Sequence, residues 1–467
     1  MQADKPALRV AVVGAGPSAF YTAEALLKQT PGIQVDLFDR LPVPFGLVRT
    51  GVAPDHQNIK GVVKIYDKIA ATPGFRFFGN VRLGRDLAVD DLTAHYHQIV
   101  YAFGCESDTK LAVPGEDLAG VHAATDFVGW YNGHTDHRAH RFDLANARRV
   151  AIVGNGNVAM DVARVLLAPA DHLASTDIAD HALEVLRTSR VEEVVLLGRR
   201  GPAQAAFSPK EIEEIAELPD VDVLVDPADA AVDPLSAAWL EKEGARSQQR
   251  NVKFLQERAA AGGSGKHKRL RCRFLVGPTA ILGAGKVQQV RIEHMQLVAA
   301  ADGTPRPQPR GTSEELAVDL LFKAIGYRGV PVPGVPFDDK KGIVPNVDGR
   351  VVDKPGGAVR TGHYAVGWCK RGPTGLIGTN SLDAKATVEA MRQDAEAGRL
   401  LQPRLADIAR LLQARGVDAV SWQDWQRLDA FELQQGQQRG KLRQKLVGID
   451  EMMAQVRALR AAAAKSG

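Results

Sequence analysis

The sequence predicts an α/β protein of two doubly wound units, one inserted into the other, and three observations carry that expectation. A glycine-rich turn stands between a β-branched run and a helical pattern at "VAVVGAGPSAFYTAEALL", and again at "VAIVGNGNVAMDVARVLL". Between them "HQIVYAFG" reads as a further parallel strand of the first unit. The same kind of pattern resumes late, in "VDLLFKAIGYRG" and then "HYAVGWCKRGPTGLIGTNSLDAKATVEAM". At 467 residues the chain exceeds what a single hydrophobic core fills. The expected domains are residues 1–106, an insertion at 107–321, and a return at 322–467 that ends in a helical extension.

Composition removes several function classes. The 59 basic and 55 acidic residues leave a net charge of +4, too thin for a nucleic-acid partner. No stretch approaches the length of apolar sequence that crosses a bilayer, so no membrane span is expected. The N-terminus enters a strand pattern within a few residues, which leads us to expect neither a signal nor a transit segment and a cytoplasmic location. Cys105, Cys272 and Cys369 form no CxxC pair. That excludes a dithiol relay, iron–sulfur ligation and a cysteine zinc site, and leaves packing as their role.

The first turn carries Gly14, Gly16 and Ala19 in GxGxxA spacing. The first glycine permits the tight turn and the second lets a pyrophosphate approach the backbone. The small Ala19 lets helix and strand pack, and the helix N-terminus favours the anion. The next strand, "IQVDLFDR", ends in Asp39, where a carboxylate binds ribose hydroxyls. The second turn repeats the pattern with Gly154, Gly156 and Ala159, but its following strand, "VEEVVLLGRR", ends in Arg199 and Arg200. Guanidinium groups pair with a 2'-phosphate that a carboxylate would repel, so this unit reads as an NADP site. Two different dinucleotides on one chain suggest a flavin that receives a hydride from a nicotinamide. The fold class is therefore two Rossmann-like dinucleotide-binding domains, the NADP domain inserted into a split FAD domain.

The order of motifs resembles one family, the adrenodoxin-reductase-type ferredoxin–NADP reductases. The resemblance is carried by "GAGPSAFYTAEALLK", "PVPFGLVRTGVAPDHQNIK", "FRFFGNVRLG", "DFVGWYNG", "GNGNVAMDVARVLL", "VLLGRRGPAQAAF", "VPFDDKKGIVPNVDGRVV" and "GWCKRGPTGLIGTNSLDA", with "VSWQDWQRLD" further on. It implies FAD contacts at Ser18, Asp39, Leu47, Val81, Trp368, Gly375, Leu376 and Ile377, besides Gly14 and Gly16. For NADP it implies Asn155, Gly156, Asn157, Val158, Arg199, Arg200, Glu211 and Gly375, besides Gly154. Asp39 stands where many members carry Glu. The activity implied is hydride transfer from NADPH to FAD, then single electrons to an acidic, iron–sulfur ferredoxin. The bacterial branch is the one expected. An electron donor to another partner enzyme, or a flavin redox sensor, stands as the alternative reading.

His56, in "GVAPDHQNIKG", and Glu211, in "SPKEIEEIAEL", are the candidate catalytic residues, expected to flank the nicotinamide as a pair. A backbone-satisfied loop histidine and a first-turn helix carboxylate are the structural alternatives. Asp161 is a weaker candidate. No metal site is expected: "HTDHRAH" spaces His134, His137 and His140 three apart, but with no cysteine and only Asp136 nearby. "KHKRLRCRFLV" reads as a strand with a charged face, while Lys370 and Arg371, beside the last glycine-rich loop, are the better candidates for docking an acidic protein.

Overall fold

Alternation along each central strand builds two cores at once. Val10 and Val12 of strand Arg9–Val13 face one apolar layer, and Ala11 and Val13 face the other. Val150 and Ile152 of strand Arg149–Val153 likewise separate from Ala151 and Val153. A strand buried on both faces is what a parallel sheet covered by helices requires. The computed structural model describes residues 8–405 and 407–466. It divides into two compact units, Met1–Ser107 with Tyr327–Gly467, and Asp108–Gly326.

The first unit holds a seven-stranded sheet. Strands Val359–Ala365, Gln98–Tyr101, Arg9–Val13, Gln34–Phe38 and Phe75–Phe78 lie side by side and parallel in that order. The turn in "NVDGR" closes an antiparallel hairpin, Asn346–Val347 against Arg350–Val352, which extends the sheet beyond Val359–Ala365. Register places Val13 beside Phe38 and Tyr101, so these parallel strands end along one edge.

The C-terminal extension is helical, with helices Ile408–Ala414, Trp422–Gln438 and Ile449–Ser466. Trp425, Leu428, Met452 and Val456 join the core that holds Phe20 and Phe45. Glu432 locks the extension down: fully buried, its carboxylate accepts from Arg49 at 2.9 and 2.6 Å and from Arg443 at 2.9 Å.

The second unit has a six-stranded sheet in the order Val121–Ala123, Leu320–Lys323, Arg149–Val153, Glu193–Gly198, Lys268–Phe274, Val221–Val225. All its pairings are parallel. A separate antiparallel sheet follows, of Val276–Leu282, Gln289–Ala299 and Pro305–Ala317. This unit runs to Gly326 rather than to 321. The reason is strand pairing: Leu320–Lys323 lies against Arg149–Val153, from Leu320 beside Val150 to Lys323 beside Val153. Ser107, expected in the insertion, belongs to the first unit.

The strand of "KRLRCRF" lies between Glu193–Gly198 and Val221–Val225, and its arginine face is half-buried and ion-paired. Arg271 pairs with Glu193 at 3.2 Å, and Arg273 with Asp229 at 3.1 Å and Glu314 at 2.6 Å.

Candidate functional site: two dinucleotide cradles

In the first unit the cradle forms where strand Arg9–Val13 turns into helix Pro17–Gln29. Gly14 N–H donates to Phe38 O at 2.7 Å with φ +114°, and a Cβ there would lie 2.4 Å from Ala102 O. Only glycine lets the chain turn this close to the neighbouring strand. Gly16 caps the helix with extended backbone and no side-chain hydrogen bond, so the first-turn N–H groups are left to a ligand. Ala19 is fully buried beneath them.

Asp39 stands at the end of strand Gln34–Phe38, half-buried. One carboxylate oxygen accepts from Ala15 N–H and the other from Leu41 N–H, both at 2.9 Å. Burial pushes this carboxyl up to about 6, against the pull of those N–H groups and of Arg40. Its backbone carbonyl accepts from Val81 N–H at 2.8 Å, which ties the buried Val81 to the same strand end. Leu47 opens a one-turn helix, Leu47–Thr50, preceded by Phe45, whose N–H donates to Ala15 O at 2.8 Å.

The returning segment closes on the same helix. A Cβ on Gly367 would lie 2.6 Å from Ser18 Cβ, so Ser18 and the Trp368 that follows Gly367 are neighbours. Asp383 holds this loop, accepting from Gly367 N–H at 2.6 Å and from Lys370 Nζ at 2.7 Å. Gly375 and Leu376 are exposed and Ile377 is half-buried, just before helix Thr379–Glu396. Lys370 is spent on Asp383 and Thr387, and Arg371 on Thr374 and Asn380, so the docking charges expected there are internally engaged. His56 caps the one-turn helix Gln57–Lys60 with its backbone, donating to Ala53 O at 3.1 Å and accepting from Ile59 N–H at 3.1 Å.

The second unit repeats the turn. Gly154 N–H donates to Leu197 O at 2.9 Å with φ +128°, and a Cβ there would lie 2.2 Å from Ala324 O. Gly156 caps helix Asn157–Leu167 in the same extended form as Gly16, and Ala159 is again fully buried. Asn157 Oδ1 accepts from Ser208 N–H at 2.8 Å, while Asn155 and Val158 line the turn half-buried.

Arg199 and Arg200 lie exposed after strand Glu193–Gly198, and no carboxylate among the described residues lies within ion-pair distance of either. Burial lowers the pKa of Arg200, and the like charges of Arg199 and Arg306 add to that. Glu211, in the first turn of helix Pro209–Glu217, is buried and accepts from Arg164 Nη1 at 2.8 Å. Arg164 also donates to Asp161 at 2.6 Å, so Asp161, half-buried, is tied to the buried Arg164 and Glu211. Arg164 lies on helix Asn157–Leu167 within the motif itself, but its role was not legible because Glu211 comes from another helix, and Arg306 arrives from strand Pro305–Ala317.

These groups fit two dinucleotides. In the first unit the uncapped helix N-terminus suits a pyrophosphate, and the Asp39 oxygens keep lone pairs for ribose hydroxyls. In the second, unpaired guanidinium groups suit a 2'-phosphate. The Asn155 side-chain amide nitrogen is buried without a partner at the turn. Cys105, Cys272 and Cys369 are free and buried, each thiol pushed up to about 12 by that burial, which suits packing and not redox exchange.

Two cradles of this kind define a pyridine-nucleotide flavoprotein. Residues 8–218 match the family described as pyridine nucleotide-disulphide oxidoreductase. The chain is 44% identical over 458 residues to NADPH-ferredoxin reductase FprA of Mycobacterium tuberculosis, covering 95% of this chain and 98% of that protein. It is 43% identical over 460 residues to human mitochondrial NADPH:adrenodoxin oxidoreductase, covering 95% and 91%. The structure of Mycobacterium tuberculosis FprA in complex with NADPH superposes with a TM-score of 0.89 at 42% identity, over 96% of this chain and 99% of that one. The chain belongs to the adrenodoxin-reductase-type ferredoxin–NADP reductases, a family of FAD-dependent oxidoreductases. No helix among the described residues is long and apolar enough to cross a membrane.

Proposed function

We propose that this chain is an NADPH-dependent ferredoxin reductase, carrying FAD in its first unit and NADP(H) in its second. The observation that carries the reading is the contrast between two like turns: one is followed by Asp39, the other by Arg199 and Arg200 with no carboxylate partner. The bound cofactors supply the redox chemistry, a hydride from NADPH to FAD and single electrons onward to a ferredoxin. The chain's own work is positioning and electrostatics.

For FAD, Gly14, Gly16 and Ser18 present backbone to the pyrophosphate and Asp39 accepts from the ribose. Leu47, Val81, Trp368, Gly375, Leu376 and Ile377 wall the remainder. For NADP(H), the turn of Gly154, Asn155, Gly156, Asn157 and Val158 receives the pyrophosphate, and Arg199 and Arg200 clamp the 2'-phosphate. Glu211 and Gly375 belong to the nicotinamide side. His56 and Glu211 are each assigned a positioning role toward the nicotinamide. Internal packing of all three thiols suits a reducing compartment, and we place the protein in the cytoplasm.

The test is anaerobic. Purified yellow protein mixed with NADPH should bleach rapidly, on the timescale a stopped-flow experiment resolves, and NADPH-driven cytochrome c reduction should rise strongly on adding one of the host's ferredoxins. Slow or absent bleaching would point to a flavin sensor. Bleaching with no response to any ferredoxin would point to a different electron acceptor.

A further inference from the structure

By sequence spacing the three histidines of "HTDHRAH" had only Asp136 nearby, and folding brings a second carboxylate, Asp126. Asp126 sits in the first turn of helix Ala124–Tyr131, within the second unit. His137 ends the short turn Thr135–His137, and His140 lies three residues on. His137 Nδ1 approaches Asp126 Oδ1 to 3.3 Å and His140 Nε2 approaches the same oxygen to 3.7 Å. All three donor atoms lie within 4.8 Å of one another.

We propose that Asp126, His137 and His140 form a site for a divalent transition-metal ion, Zn²⁺ the best suited, bound through Asp126 Oδ1, His137 Nδ1 and His140 Nε2. Tetrahedral zinc with bonds of about 2.0–2.1 Å holds its donor atoms about 3.3–3.4 Å apart, which matches the 3.3 Å between His137 and Asp126 and asks for a small inward shift of His140 from 3.7 Å. His137 Nδ1 and Asp126 Oδ1 stand at ion-pair distance, and the buried Nδ1 has no well-formed hydrogen bond, which leaves its lone pair for an ion when the ring is neutral. The site is also prepared by the helix. A Cβ on Gly129 would lie 2.2 Å from His137 Cδ2, so the imidazole lies flush on the helix only because residue 129 is glycine. Gly129 and Asp126 are three apart and share that face, which aims the ring at the carboxylate. The rings of His137 and His140 stack, with centroids 5.6 Å apart and planes 23° apart, and His140 rests against Phe142. All three ligands are partly exposed, so an ion can enter and water can take the fourth position. Imidazole and carboxylate without thiolate suit zinc over softer ions such as Cu(I).

The test uses the full-length, FAD-loaded chain stripped of metal with a chelator and titrated with Zn²⁺ alone by calorimetry, with a chromophoric chelator in competition. One ion per chain is expected, with a Kd below about 10 µM. His137→Asn and His140→Asn should each weaken binding at least tenfold, with flavin absorbance and far-UV circular dichroism unchanged, and His134→Asn should leave it as it was. X-ray absorption of the zinc-loaded wild type, which needs no variant to fold, should report two imidazole ligands. Absence of imidazole scattering overturns the proposal, as does a doubly substituted His137→Asn, His140→Asn chain that binds Zn²⁺ as tightly as the wild type.

Discussion

Replacing Arg199 and Arg200 together by Ala should remove the discrimination between NADPH and NADH while leaving the flavin in place. Both residues are exposed and lack a carboxylate within ion-pair distance, and partial desolvation and the like charges of Arg199 and Arg306 disfavour the Arg200 charge. A dianionic phosphate relieves that repulsion. A hydrogen bond to a charged group contributes about 1.5–3 kcal/mol, and two exposed ones at the low end give about 3 kcal/mol together. That corresponds to roughly a 10²-fold loss of preference. The assay is stopped-flow reduction of the bound flavin over a range of NADPH and NADH concentrations. The apparent Kd for NADPH should rise about 10²-fold, that for NADH should hardly move, and the limiting rate should persist for both. The wild-type preference should itself shrink with added salt, because the contact is at the surface and screened over about 8 Å at physiological ionic strength. A double variant that keeps its preference within a factor of about three would refute the assignment of the 2'-phosphate to this strand end.

Gly154→Ala should cost stability as well as NADPH binding. The positive φ alone disfavours alanine by about 1–2 kcal/mol, and the methyl would press on Ala324 O at 2.2 Å, which calorimetry of the purified variant can measure as a lowered Tm. Glu432→Ala should cost about 3–5 kcal/mol, since it strands the buried Arg49, while Arg443 keeps its pair with Asp429. Burial raises the Glu432 carboxyl, but those two guanidinium groups outweigh it and hold the pKa below the usual value. Its contribution is therefore present above the ordinary glutamate range and lost as pH falls through the depressed folded value, so wild type and variant should converge in Tm under acid. FAD affinity, measured by dialysis and fluorescence, should weaken as pH falls through about 6, where Asp39 takes up a proton, and Asp39→Asn should flatten that dependence. His56→Gln should slow NADPH-driven flavin reduction by about tenfold with little change in NADPH affinity; an unchanged rate would return His56 to loop scaffolding.

What could be read from the sequence divides along a physical line. The turns were legible because their requirements are local: Gly14 and Gly154 must avoid a neighbouring carbonyl, and Ala19 and Ala159 must be small where helix meets strand. What was illegible depends on pairing between distant segments. The strand Leu320–Lys323 goes to the inserted unit because it hydrogen-bonds beside Arg149–Val153, and no composition shift marks that choice. Lys370 reads as a free surface charge until Asp383, thirteen residues on, takes it. His137 and His140 show only Asp136 nearby in sequence, and the carboxylate they approach, Asp126, comes with the helix that also carries Gly129. In each case an ionisable side chain's role follows from its partner, and the partner comes from tertiary structure. The same reasoning gives Arg199 and Arg200 their weight: within this unit Arg271 and Arg273 found carboxylates on folding and these two did not. A cationic pair left uncompensated, beside a helix N-terminus that no side chain caps, needs an anion from outside the chain.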